Sequence, residues 1–220
     1  MKKQIYIYRL GKSIKFIKPN GKYQQDQVFI VPDFTVFVKD AVMYGNLGAL
    51  IRRIFQLNIR DIFYLAWIYK FKIFNILKKD FATGAIILAT IELLQAKKFR
   101  PNFIIFSEYL TDLSVALNNE NVFKKFINVA KEKLNFKIAF MTINPPSTLK
   151  ILSKNNIIAD YFIFPFNRFG YEMNPSKQEV ENVIKFIEPQ RIIAATPVFL
   201  KKDKEYLLKY SIDKVLIDWI

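Results

Sequence analysis

The chain has 220 residues, no histidine and no cysteine, and a formal net charge of +15. Those two absences exclude histidine-ligated metal sites, Cys-His nucleophiles, thiol redox chemistry and disulfides, so any reaction must use Asp, Glu, Lys, Arg, Tyr, Ser, Thr or a bound cofactor. A hydrophobic fraction of 52% with 22 Phe and 11 Tyr is enough for a large packed core and excludes global disorder.

In chain order, residues 1–20 read as an N-terminal β-hairpin or first strand, with a further strand near residues 16–17. Residues 28–31 and 35–38 are strand-like, 44–57 has helical spacing, 61–67 is an apolar run read as a strand, and 83–97 reads as a long helix. Residues 68–81 have no assignable pattern. Beyond residue 100 the alternation is cleaner. Strands are predicted at 102–106, 136–143, 159–166, 191–195 and 214–217. Helices fall between them at 120–134, 147–154, 176–187 and 201–209. Asn119 is a candidate N-cap, and Ser176 with Glu179 has the spacing of a capping box. Strands alternating with helices predict parallel βαβ units. No linker divides the chain, so the expected fold is one α/β domain over 1–220: a (β/α)8 barrel, incomplete at its C-terminus, preceded by a hairpin.

Charge is uneven: residues 1–100 hold 18 Lys/Arg against 6 Asp/Glu, and residues 101–220 hold 16 against 13. A basic half can meet nucleic acid, but these lysines are scattered and no nucleic-acid motif accompanies them, so that reading ranks third. The most apolar stretch, 61–94, is broken by Lys70, Lys72, Lys78, Lys79 and Asp80, which excludes a spanning helix; the N-terminus lacks a secretory apolar core. A cytoplasmic protein with no membrane partner is expected. Its oligomeric state is left open.

Several segments resemble aldo/keto reductases. Tyr8-Arg9-Leu10-Gly11-Lys12-Ser13 is similar to that family's opening hairpin, and Ala41, Tyr44, Gly45 and Asn46 align with its Asp-Thr-Ala-x-x-Tyr-Gly-Asn segment. Leu47-Gly48-Ala49-Leu50 and Arg60-Asp61-Ile62-Phe63 follow in order, as do Phe164-Pro165-Phe166-Asn167 and the run from Ile192 to Val198. The resemblance implies a barrel transferring hydride from NADPH to a carbonyl, with a Tyr acid tuned by Lys, Asp and His. Only Tyr44 is retained. Lys39 stands at the Asp position with Asp40 beside it, Trp67 at the Lys position and Ser107 at the His position. Of the nicotinamide contacts, Asn144-Pro145 replaces Ser-Asn, Ile163 replaces Gln, and Ala195 replaces the stacking aromatic.

On a barrel, site residues sit where strands end. The candidate acid-base groups are Tyr44, Lys39, Asp40 and Glu108. The candidate substrate-binding residues are Trp67, Ser107, Asn144, Asn167 and Arg168. No metal and no cofactor is expected, NADP entering only if the family activity survives. The leading expectation is a divergent barrel that binds a small ligand or partner without reductase activity. The alternative is an enzyme for a carbonyl or phosphorylated metabolite, using Tyr44, Lys39 and Glu108.

Overall fold

The computed structural model of the chain describes residues 5–9, 26–69, 81–196 and 201–217. Seven strands form one sheet: β1 (Ile5–Arg9), β2 (Asp26–Val31), β3 (Phe103–Phe106), β4 (Ile138–Met141), β5 (Tyr161–Pro165), β6 (Ile192–Thr196) and β7 (Lys214–Ile217). They pair in chain order and every pair is parallel. Parallel neighbours require crossovers, and from β2 onward the described crossovers contain helices. Between β2 and β3 the described residues form three helices: α1 (Phe34–Ile54), α2 (Ile59–Tyr69) and α3 (Phe81–Lys97). Then come α4 (Glu108–Ala116), α5 (Glu120–Ile127) with a π-helical continuation over Asn128–Lys133, α6 (Pro145–Lys154), α7 (Lys177–Ile184) and α8 (Lys201–Leu208).

Side chains alternate across a strand, so each strand feeds two faces. Phe29, Val31, Ile104, Phe106, Phe140 and Phe164 point into the helical layer, where Phe106 lies 4.2 Å from Phe126 between ring centroids and Phe123 meets Phe140 edge-on. Val28, Ile30, Phe103, Ile105, Ala139 and Met141 belong to a second cluster on the opposite face, also buried. Burial on both faces is why these strands read as unbroken apolar runs.

The sheet is an open half-barrel and not the closed (β/α)8 barrel expected from the sequence. β1 and β7 are its two edges and do not pair with each other, and no eighth strand occurs among the described residues. Two segments expected as strands are helical: residues 35–38 lie in α1, and residues 61–67 in α2. A short apolar run fits a strand or a buried helix equally by periodicity. Asn58 decides the second case, since its Oδ1 accepts the Asp61 amide at 2.9 Å and so starts a helix. Of the expected hairpin, only Ile5–Arg9 is described, and it runs parallel to β2. The remainder, and the strand near residues 16–17, lie outside the described residues.

The helix α3 is unusual because every residue from 85 to 96 is buried. It packs on β2, on α5 with its π-helical continuation, and on both α1 and α2. A helix apolar all round belongs inside. The one charge among residues 81–96, Glu92, is held by the guanidinium of Arg53 from α1, and its Oε2 accepts the Asp33 amide at 2.7 Å. Burial pushes the Glu92 carboxyl up to about 8, against the opposing pull of Arg53 and the Asp33 amide. The helices α1 and α2 thus form an outer layer that encloses α3.

Candidate functional site

The carboxyl ends of parallel strands are where loops and helix N-termini converge, and here they carry a row of buried polar residues. Asp33 follows β2, Ser107 follows β3, Thr142 follows β4, Asn167 lies two residues beyond β5, and Thr196 ends β6. Most of these polar groups serve the loops that carry them. Thr142 Oγ1 bonds to the Asp112 carboxylate of α4 and lies 2.8 Å from Thr148 Oγ1 of α6; it also accepts the Asn144 amide at 3.0 Å. Asp112 Oδ2 in turn accepts the Ile143 amide at 3.1 Å. Burial raises the Asp112 pKa above its ordinary value, with the Thr142 hydroxyl and two backbone amides opposing. This network ties β4 to α4 and α6.

Asn144 is the N-cap of α6, its Oδ1 accepting the Ser147 amide at 3.2 Å. It also lines a cleft of about 830 Å³ between α4 and α6, together with Asp112, Lys150 and Lys154. Asn167 shapes its own loop: Oδ1 accepts the Phe169 and Tyr171 amides at 3.2 and 3.0 Å, and Nδ2 donates to the Tyr171 carbonyl at 2.8 Å. Arg168 pairs with Asp203 at 3.0 Å, and its guanidinium lies 3.9 Å above the Phe169 ring centre. Lys177 Nζ donates to the Arg168 carbonyl at 2.6 Å. These residues stand at strand ends as the sequence indicates, but their polar atoms are engaged in caps and turns.

Ser107 differs. Its amide donates to the Val31 carbonyl at 3.1 Å and its own carbonyl accepts from Thr111, yet its buried Oγ has no hydrogen-bond partner. A serine nucleophile needs a base within hydrogen-bond reach, and among the described residues none bonds to it. Glu108 opens α4 and is half-buried. Tyr44 and Lys39 belong to α1 and are exposed; the Arg52 guanidinium sits 5.0 Å over the Tyr44 ring. Asp40 pairs with Arg52 at 3.6 Å and Arg53 at 3.9 Å. Trp67 does not line a strand-end pocket. It is 75% exposed on the outer side of α2. Among the described residues no cluster of three or more Asp or Glu could hold a metal ion.

What sequence reasoning missed lies on α1 and α2. Val42, Phe55, Ile59, Phe63 and Trp67 are each more than two-thirds exposed, and Val38, Leu47 and Ile51 are exposed with them. The spacing 59, 63, 67 in α2, and 47, 51 in α1, was the available signal: four-residue steps within one helix keep side chains near one face. The inward sides carry Ala49, Leu50, Leu57, Leu65 and Tyr69, which are buried. The Arg53–Glu92 pair was missed as well; its signal was a lone carboxylate in an apolar run.

The class these features define is an open, all-parallel α/β half-barrel with an added outer helical layer. No family model matches the chain, and neither a curated protein nor a solved structure matches it. Among the described residues no helix is long and apolar enough to cross a membrane.

Proposed function

We propose that the chain is a non-catalytic binding protein, with the half-barrel serving as a scaffold. One observation carries this reading. At the described strand ends, where a barrel enzyme keeps its reacting groups, Thr142, Asn144 and Asn167 serve capping and loop bonds, Arg168 pairs with Asp203, and Ser107 Oγ has no hydrogen-bond partner among the described residues. Catalysis requires groups held in mutual reach and aimed at a substrate. The expected acid-base set is instead distributed, with Tyr44 and Lys39 on exposed positions of α1 and Glu108 at the start of α4.

Positions that resemble reductase contacts support the same reading. Trp67, in place of the family's Lys, projects from a helix surface, and Ala195 is buried in the sheet where a nicotinamide would need an aromatic ring. Kinship with aldo/keto reductases is supported by motif order alone and is not needed for the proposal. The cytoplasm is the proposed compartment, since a chain without cysteine is indifferent to a reducing environment. Titration with NADPH and NADH, followed by fluorescence and by assay with simple aldehydes, tests the reading. No saturable binding and no turnover is the expected result; saturable binding with turnover overturns it.

A further inference from the structure

We propose that α1 is a flap, closed on α3 by the single carboxylate of Glu92, that opens as a unit while the sheet stays folded. This goes beyond the binding-protein reading and does not depend on it. A straight helix of the length of α1 would set its ends about 30 Å apart. Yet the two oxygens of Glu92 hold both ends. Oε2 accepts the Asp33 amide at 2.7 Å just before the helix, and Oε1 accepts from Arg53 in its last turn. The chain therefore doubles back at Gly45, the non-helical residue within α1. Side chains on the two arms meet accordingly. The Arg53 guanidinium lies 5.8 Å from the Phe37 ring centre and 3.9 Å from Asp40, and Arg52 sits 5.0 Å over Tyr44.

The doubled helix is fastened lightly. None of the described residues from 37 to 48 is buried; Ala49, Leu50 and Arg53 are, with Phe34 and Ile54 partly so. The other attachment is polar. Gln95, one turn after Glu92 on α3, donates to the Arg53 carbonyl at 3.2 Å and to Gln56 Oε1 at 3.3 Å. Segments with few buried apolar contacts open at less than the cost of global unfolding. A buried ion pair adds little net stability, since desolvation offsets its attraction. Here Arg53 Nη2 is buried and has no hydrogen-bond partner among the described residues.

Opening returns Glu92 to water, which links the flap to protons. Closed, the carboxyl keeps its proton up to about 8; in water it ionises near its ordinary 4.5. The closed state binds the proton more tightly, and its advantage, complete below 4.5, is lost as pH rises towards 8. The charged groups facing Glu92 are Arg53 and Asp33, with Asp40 behind the guanidinium. On the other elements packed against α3, β2 offers the apolar Phe29 and Val31, and Tyr69 of α2 bonds to Thr90 at 2.5 Å. Lys125 of α5 bonds to Thr83 at 3.4 Å, and Lys131 of its π-helical continuation pairs with Asp160 at 3.5 Å. Opening bares the side of α3 that carries Glu92 and Gln95.

Hydrogen exchange of the full chain between about pH 5 and 8, corrected for the intrinsic rate at each pH, tests the proposal. Amides of residues 34–54 should exchange together and with less protection than those of β3 and β4. Their protection should fall as pH rises, by up to about tenfold per pH unit. Glu92→Gln keeps an acceptor for the Asp33 amide but no titrating group, and it should abolish that slope. If the variant does not fold, the wild-type slope decides alone. Equal protection in 34–54 and in the strands overturns the proposal, because α1 then opens only with the whole fold. Absence of protection in 34–54 at the acid end overturns it too, since nothing then holds the flap closed. A wild-type slope that is missing, or one that Glu92→Gln leaves intact, removes Glu92 as the group that closes it and overturns the proposal as well.

Discussion

The helices α3 and α2 are both built mostly from apolar residues, and the fold treats them oppositely. α3 is buried on all sides from residue 85 to 96, with its single carboxylate matched by Arg53. α2 buries Leu65 and Tyr69 against α3 but leaves Ile59, Phe63 and Trp67 in water. An apolar helix inside a protein is explained by its own packing. An apolar helix face outside is not accounted for by packing within the described residues. The contrast separates residues that hold the molecule together from residues available for binding.

Truncations on the two helices should therefore differ in size. The largest loss is expected for Arg53→Leu, which leaves Glu92 buried without its partner, at about 3–5 kcal/mol by urea denaturation. Leu93→Ala in α3 should cost about 2–5 kcal/mol, as a fully buried leucine leaves a cavity. The pH dependence gives a further handle. The folded Glu92 holds its proton up to about 8 against an ordinary 4.5, so its contribution is complete below 4.5 and is lost as pH rises towards 8. Glu92→Gln should flatten that part of the stability–pH curve. Asn144→Ala removes the α6 cap and should cost about 1 kcal/mol in thermal or chemical unfolding. Smallest of all, Phe63→Ala and Trp67→Ala should each stay within about 0.5 kcal/mol. A large loss at either position would mean that the face is structural after all and would erase the contrast.

The second half of the fold is readable from residues. Phe103–Phe106, Ile138–Met141 and Ile192–Thr196 fall within a residue or two of the apolar runs that suggest them, because strands buried on both faces leave no polar interruption. The Ser176–Glu179 box is also visible: Ser176 Oγ accepts the Glu179 amide at 3.2 Å and bonds to its carboxylate at 2.7 Å. The region before residue 100 misleads because its helices are as apolar as its strands, so segments 35–38 and 61–67 carry no periodicity that separates the two. The helix α4 goes unnoticed because its moderate amphipathicity follows directly on a strand. Positions at strand ends are legible, as Ser107, Asn144 and Asn167 show, but their duties are not. Whether Asn167 faces a ligand or its own loop depends on where the Phe169 and Tyr171 amides turn, which is a property of the folded chain. The Arg53–Glu92 pair spans 39 positions of sequence, too far for local pattern to reveal.

Gly45 interrupts α1 with φ +71° and ψ 164°, a backbone state that residues with a Cβ rarely hold, although a Cβ there would meet no atom within 4 Å. The need is conformational and not one of space. In an unbroken helix the four-residue step from Val38 and Val42 would arrive at Asn46, a polar amide. The apolar spacing restarts after the interruption, at Leu47 and Ile51. Gly45 thus works as a joint: α1 is two helical segments, 34–44 and 46–54, each with its own axis and its own apolar phase.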